Sequence, residues 1–549
     1  MTAPEAEAAV RIGWTGFSEL PRRAADWVRA QPLLFAAIAA GLIVRITYWA
    51  VTDRRLDDAL ITIKHAKNVA DGVGLTHHLG EDGPVHGFTS VLSVLIPLPG
   101  ELIASGGSFV VIRLVSLVAF VFAAIFAYRI CRRLELGSWP IGFALAYLAL
   151  DHNQILYGVA GMETQIAVAV LLGGVHYVLE DRPRAAGIAL GLALLARPDY
   201  VLWVAPALVF LLVRDRHSGA RALLWTAAVA APWVIFATLY YGSPVPNTIV
   251  AKSLAFSPTL PSVTDLGGWA DFLWTSLKAH QRDWTSMTPF LEQGFLVHAP
   301  LPDALSKLIG WSVGALALVG AVTGWRRSPG LRPAIAFVFL WIAYRIVFLT
   351  IGYFDWYGVP TIALIVILAA AGLDRVTVRA PRVVVAVPAV LLGFAYAMHI
   401  PFTLPIEYRV QHQIEDRVRD PLGRYLGEVT KPGETIVTEP SGYFGYYTNA
   451  TLLDYPGLTS TTVTDALREH PEYRILIGLV PLFDPDWIVF RPDELAFLRY
   501  GAPEVAARYR VVREFSVPPE ESSLEQWGLE AGNYDRDFIV LRRRDDGPP

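Results

Sequence analysis

Two adjacent carboxylates, Asp57 and Asp58, head the stretch Leu56-Asp57-Asp58-Ala59-Leu60-Ile61-Thr62-Ile63-Lys64-His65-Ala66-Lys67-Asn68, which follows closely on a long apolar run. A carboxylate held in a half-dry cleft can take the proton of an attacking hydroxyl, and burial raises its pKa towards the working range. The same pair also suits the N-cap of a short surface helix stopped at Gly72 or Gly74, so these residues alone leave catalysis and capping both open. Three more histidines follow, His77, His78 and His86. Beside two aspartates they raise the question of a divalent metal, but no HxxxH spacing accompanies them. Hydrogen bonding to sugar or phosphate is the better expectation, and the sequence requires no cofactor.

Further ionisable groups sit at the ends of apolar runs. Glu163 lies in Gly161-Met162-Glu163-Thr164, and Arg197 and Asp199 lie in Ala196-Arg197-Pro198-Asp199, at a break between two short apolar segments. Charges at membrane depth are costly, so these three are expected to face a protein-lined cavity or to form an internal ion pair. The segment Tyr241-Gly242-Ser243-Pro244-Val245-Pro246-Asn247-Thr248-Ile249-Val250-Ala251-Lys252 has two prolines that make a rigid elbow. It brings Lys252 close to the membrane surface, either to bind an anion or to snorkel. Arg345 is embedded in an apolar run capped by Tyr353-Phe354-Asp355-Trp356-Tyr357. The aromatics suit an interfacial belt, while the arginine needs an anion, which a lipid phosphate would supply.

The elements that must position these groups are membrane helices. The 549 residues are 54% hydrophobic and only 17% charged, with mean hydropathy +0.41, too apolar for a soluble chain of this size. The net charge of -4 comes without a basic stripe, which argues against nucleic acid as a partner. A single cysteine, Cys131, excludes an internal disulfide. Apolar runs fall at about 32–51, 109–130, 138–150, 164–180, 184–196, 200–213, 220–240, 304–325, 332–351, 357–374 and 383–399, so about eleven transmembrane helices are expected. The run 87–105 holds Pro97, Pro99 and Glu101 and reads as an interfacial or re-entrant segment. With the N-terminus inside and that run not crossing, the arginine loops around 129–133, 182–184, 214–221, 326–332 and 375–382 all fall on the cytoplasmic side. Residues 1–31 are then a cytoplasmic segment and 32–399 a transmembrane domain with outer loops 52–108 and 241–303. Residues 400–549, with dispersed charges, turn signals and short strand-like runs, form an extracytoplasmic α/β domain. The expected class is an α-helical polytopic protein of the plasma membrane.

Taken in order along the chain, these motifs resemble those of the GT-C superfamily of polyprenyl-phosphate-sugar glycosyltransferases. The branch they look most like is that of the actinobacterial terminal β-(1,2)-arabinofuranosyltransferases. The matching stretches are Asp57-Asp58-Ala59, Gly87-Phe88-Thr89-Ser90, Gly161 to Thr164, Arg197-Pro198-Asp199, Pro246 to Thr248 with Ala251-Lys252, Trp356-Tyr357, and Ser441 to Tyr447 followed by Leu453 to Leu458. Ile61, Lys64, His65 and Ser90 depart from that branch, which bears on the sugar. The resemblance implies Asp58, with Asp57 as the alternative, as catalytic carboxylate. Lys252, Arg345 and His86 would hold the donor phosphate, and Tyr353, Trp356 and Tyr357 would cover the sugar or prenyl chain. Lys64, His65, Glu163, Arg197, Asp199 and Asn247 would line the substrate cavity. It also implies a polyprenyl-phosphate sugar donor and a cell-envelope glycan or glycoprotein acceptor, with D-arabinofuranose first and mannose or another hexose as the alternative. A lipid-linked-sugar transporter would place its polar groups near mid-membrane on paired repeats, and here they gather on one face.

Overall fold

The computed structural model describes residues 31–78, 83–279, 303–348, 355–377, 381–518 and 535–544. Among these, six helices are long and apolar enough to cross a bilayer: Pro32–Thr52, Gly107–Arg133, Arg216–Tyr241, Leu308–Arg327, Pro329–Val347 and Val359–Thr377. A bent pair, His152–Val159 and Thr164–Leu179, makes a seventh if the two are one span; they meet at 115°. The count differs from eleven partly because Ser138–Leu150, Pro183–Ala196 and Val201–Arg214 have only 13, 14 and 14 residues. At 1.5 Å per residue such helices reach about 20 Å, short of a hydrocarbon core of about 30 Å. The apolar run 383–399 belongs to a 28-residue helix, Arg382–Arg409, that continues through a wide-turn segment into Asp420–Val429. The expected border at residue 399/400 therefore falls inside a helix. Val359–Thr377, apolar on every side, is buried over 83% of its apolar stretch and forms the centre of the bundle.

The run 87–105 forms two short helices, Leu92–Leu95 and Leu98–Ile103, broken at Pro97. The turn that follows is fixed by Glu101, whose carboxylate accepts from the Gly106 N–H at 3.0 Å. Within the first span, the buried Arg45 donates to the carbonyls of Leu148, Ala149 and Gln154 at 2.9, 3.0 and 3.1 Å. The Leu148 and Ala149 carbonyls belong to the last turn of Ser138–Leu150, where helix carbonyls lack intrahelical partners and favour a cation.

Residues 435–543 contain a five-stranded sheet: β1 (Thr435–Thr438), β2 (Thr451–Asp454), β3 (Trp487–Phe490), β4 (Tyr509–Ser516) and β5 (Asp537–Arg543), in the order β2-β1-β3-β5-β4. β1 runs parallel to β2 and β3, while β5 is antiparallel to β3 and β4. The short helix Gly442–Tyr447 makes the β1-to-β2 crossover. Val437, Leu453, Val463, Leu467, Ile488, Phe490 and Leu541 form the core of one side. A buried ionic chain ties the region of this sheet to Arg54, just beyond the first span. Arg54 donates to Glu407 and Glu415, both at 3.0 Å, Arg419 joins Glu415 to Asp535, and Arg491 holds Asp535 at 2.7 Å. Each charge there has an opposite neighbour, as buried charges require, and removing one partner would cost about 3–5 kcal/mol.

Candidate active site

Asp57 and Asp58 open the helix Asp57–Ala70, which packs against Leu92–Leu95, Leu98–Ile103 and Gly442–Tyr447 and buries Ala59, Leu60, Ile61, Ile63 and Ala66. Successive residues on a helix point about 100° apart, and here the two carboxylates diverge. Asp57 turns to the short helix Gly442–Tyr447, where its oxygens accept the N–H groups of Gly442 at 2.9 Å and Tyr443 at 3.0 Å. Asp58 turns into an open cleft of about 520 Å³ that is also lined by Thr62, Thr89, Glu163, Arg197, Lys252, Trp356, Tyr357 and Leu458.

Each wall of the cleft has a local cause. Glu163 arrives through the sharp corner between His152–Val159 and Thr164–Leu179. Gly161 makes that corner with φ +94°, where a side chain would also meet Phe109 and Ala59. Arg197 sits in extended backbone at the break between Pro183–Ala196 and the next helix, donates to Asp199 at 3.1 Å and to the Trp356 carbonyl at 3.2 Å, and lies 4.3 Å from the centre of the Tyr357 ring. Lys252 belongs to the helix Asn247–Phe256, whose start is set by Pro246. Its Nζ donates to the Tyr357 hydroxyl at 2.9 Å.

Electrostatics couple Asp58 and Lys252. Burial raises the Asp58 pKa above the ordinary carboxylate value, partly offset by Lys252, while Asp57 adds to the rise. Burial works against the charge on Lys252, but Tyr357 and Asp58 outweigh it and its pKa is raised, so it stays cationic.

A second cavity, about 1170 Å³ and mostly apolar, opens beside the cleft and shares Thr89, Thr248, Lys252 and Tyr357 or their neighbours with it. Its other walls include Asp199, Leu202, Ile249, Trp341, Tyr344 and Arg345. Arg345 is buried, 5.5 Å from the Trp341 ring centre. A charged cleft joined to an apolar groove across one lysine is suited to an amphiphile whose head is anionic.

The structure thus brings Asp58, Lys252, Arg345, Trp356, Tyr357, Glu163, Arg197 and Asp199 to these two cavities. Tyr353 lies outside the described residues. Five others line neither cavity. Asp57 holds backbone, as above, and Lys64 turns the same way, donating to the carbonyls of Tyr446 and Thr448 at 3.4 and 3.0 Å. His65 is buried with its Nδ1 2.9 Å from the Ile61 carbonyl. Burial lowers its pKa to about 3, so it is neutral. His86 stacks on Tyr241 with ring centres 4.6 Å apart and is lowered by burial to about 4. Asn247 is spent on the backbone, donating to the carbonyls of Gly457 and Ser460. His65 packs against the rings of His77 and Phe88, and His86 against those of Phe88, Trp233 and Tyr241. No three of the described His, Cys, Asp and Glu residues are placed to hold a metal ion together. Leu458 and Trp341 line these cavities without having been singled out as site residues in the sequence, as do Thr62 and Ser93. Leu458 comes from the C-terminal domain and carries no chemical signal, whereas Trp341 stands one turn before Arg345 and was open to detection by that spacing.

Residues 406–538 match a family described as a domain of unknown function (DUF8728). No curated protein sequence matches the chain. Among solved structures the chain is similar to ArnT from Cupriavidus metallidurans bound to undecaprenyl phosphate, at 15% identity and TM-score 0.52 over 95% of this chain and 100% of that one. The apo state of the same protein gives 14% and 0.55 over 96% and 100%. The Archaeoglobus fulgidus oligosaccharyltransferase, tethered to an acceptor peptide containing the NVT sequon, gives 11% and 0.52 over 95% and 75%. These neighbours are GT-C glycosyltransferases, and the chain shares their fold.

Proposed function

We propose that the chain is a GT-C glycosyltransferase that moves a sugar, with D-arabinofuranose first in order, from a polyprenyl-phosphate donor to a hydroxyl of a cell-envelope glycan or glycoprotein on the extracytoplasmic face. The observation that carries this reading is the junction at Lys252 and Tyr357. There a cleft holding a carboxylate meets an apolar groove holding Arg345. The prenyl chain would lie in the groove, its phosphate between Lys252 and Arg345, and the sugar over the aromatic pair Trp356 and Tyr357. The structure of ArnT with undecaprenyl phosphate supports such a lipid for a chain of this fold.

In the transfer, Asp58 accepts the proton of the acceptor hydroxyl as its oxygen attacks the anomeric carbon. The bond from that carbon to the phosphate oxygen breaks, and the electron pair leaves with the polyprenyl phosphate. Lys252 and Arg345 stabilise the charge that accumulates there, a term that is large in a site sheltered from water. Glu163, Arg197 and Asp199 hold the aromatic wall and the cleft floor in place. The test is incubation of purified protein with a panel of polyprenyl-phosphate sugars, following release of the free lipid phosphate. Turnover of the arabinofuranosyl donor supports the first choice, turnover of a hexosyl donor selects the alternative sugar, and no release from any donor overturns the reading.

A further inference from the structure

The C-terminal domain meets the cleft at three points. Asp57 and Lys64 stand seven residues apart, two turns along one face of the helix that carries Asp58. Between them they grip the helix Gly442–Tyr447 of the C-terminal domain end to end. The Asp57 carboxylate takes the N–H groups of Gly442 and Tyr443 at its start, and the Lys64 ammonium donates to the carbonyls of Tyr446 and Thr448 at its finish. The signs follow the polarity of the gripped backbone, negative at the N–H end and positive at the carbonyl end. The approach is so close that a Cβ on Gly442 would stand 2.0 Å from the Asp57 carbonyl oxygen, which only glycine permits.

The second attachment is on the helix that carries Lys252. Asn247, its first residue, donates through Nδ2 to the carbonyls of Gly457 and Ser460 at 2.7 and 3.2 Å, and its Oδ1 accepts from Thr464 at 3.2 Å. At the third point, Leu458 in the loop between these anchors forms part of the cleft wall. The two helices that bear the carboxylate and the cation of the cleft are thus both held by the segment 442–464, which also adds Leu458 to the cleft wall.

We propose that the C-terminal domain is a working part of the transfer site: Asp57 and Lys64 are positioning residues that fix Asp58 relative to Lys252, and Leu458 sets the room left for the sugar. This rests on the reading of the cleft as the active site. A domain that only bound glycan at a distance would not need both reacting groups anchored to it.

The experiment uses the full chain in lipid nanodiscs with the donor that the panel identifies. The variants are Asp57→Asn, Lys64→Met, Lys64→Arg, Leu458→Trp and, as reference, Asp58→Asn. Turnover is measured beside thermal unfolding and the binding of undecaprenyl phosphate, followed by tryptophan fluorescence. Asp57→Asn and Lys64→Met are expected to lower kcat about 10-fold or more, as loss of a charge-assisted contact implies, with lipid binding within about 3-fold of the parent. Lys64→Arg, which can still donate to both carbonyls, restores kcat, and Leu458→Trp raises KM with a smaller change in kcat. If the folded fractions of Asp57→Asn and Lys64→Met keep the parent kcat and Leu458→Trp keeps its KM, the proposal is overturned. Should Asp57→Asn fail to fold, the Lys64 pair and Leu458→Trp decide. An inactive Asp58→Asn beside such wild-type behaviour removes this proposal alone, whereas an Asp58→Asn as active as the parent removes Asp58 as the base, on which the proposal rests.

Discussion

Asp58→Asn is the change that separates chemistry from architecture most sharply, because the carboxamide keeps the size and the hydrogen-bonding reach of the carboxylate but cannot take a proton. Loss of a positioned general base lowers turnover by about 10²- to 10⁴-fold, or about 3–5 kcal/mol of barrier. The structure also fixes what should not change. Burial raises the Asp58 pKa, so the ionised form is the one the fold disfavours, and this cost is present above the folded pKa. At neutral pH the neutral Asn variant should therefore unfold no earlier than the parent, and Asn still suits the first turn of the Asp57–Ala70 helix. Lys252 retains its contact with Tyr357, so binding of undecaprenyl phosphate should hold or tighten once the competing carboxylate charge is gone. The assay is release of lipid phosphate at saturating donor as a function of pH. Because the base must be ionised and its pKa is raised, the parent should lose activity on acidification at a pH above the ordinary carboxylate range. Asp58→Asn turning over at a rate close to the parent would refute the argument, and the same result paired with an inactive Asp57→Asn would reverse the two roles.

Lys252→Ala and Arg345→Ala should each weaken undecaprenyl phosphate binding about 10- to 100-fold, the equivalent of a charge-assisted contact of about 1.5–3 kcal/mol; unchanged affinity in both would mean that these cations serve only their protein neighbours. Reporter fusions at about residue 420 and near Arg327 should report opposite compartments, as the arginine distribution requires, and equal signals would remove the extracytoplasmic placement of the cleft. Acid should destabilise the segment 52–108, since burial lowers the pKa of His65 to about 3 and that of His86 to about 4, against 6.5 when unfolded. A depressed histidine pKa means that unfolding takes up protons, so stability falls as the pH drops below about 6.5, by about 2 kcal/mol per histidine at about pH 5. Melting temperatures that stay level over that range would contradict the buried, neutral assignment.

The parts of the fold legible in the sequence are those in which one local property decides. The runs 32–51, 109–130, 220–240 and 357–374 correspond to helices Pro32–Thr52, Gly107–Arg133, Arg216–Tyr241 and Val359–Thr377, because length and apolarity suffice for a span. The break at Arg197-Pro198 was legible for a similar reason, since proline imposes backbone geometry by itself, whereas the corner at Gly161 was not read from the sequence. Composition could not tell which short apolar helices complete a crossing, because a 13-residue helix such as Ser138–Leu150 has the same character whether it spans or packs. Nor could it sort the polar residues of the Asp57–Ala70 helix. Lys64 and His65 seemed fit to line a sugar site, but the faces of a helix receive their meaning from what packs on them. Here the packing partner is a segment that begins with Ser441, nearly four hundred residues further on.

That dependence also explains why two aspartates stand side by side. A base that must hold a proton for an instant has to be partly desolvated, and desolvation alone would disfavour its ionised form, which Lys252 opposes. The neighbouring Asp57 is invested in two backbone N–H groups of another domain, which spreads its charge and pins the first turn of the helix. With the turn pinned, the 100° step to the next residue directs Asp58 into the cleft towards Lys252. A single aspartate could not do both, because each oxygen used to anchor the helix is one withdrawn from the acceptor hydroxyl. Under the proposed transfer the pair is one device with a fixed half and a reacting half, and the segment beginning at Ser441 supplies the surface against which the fixed half works.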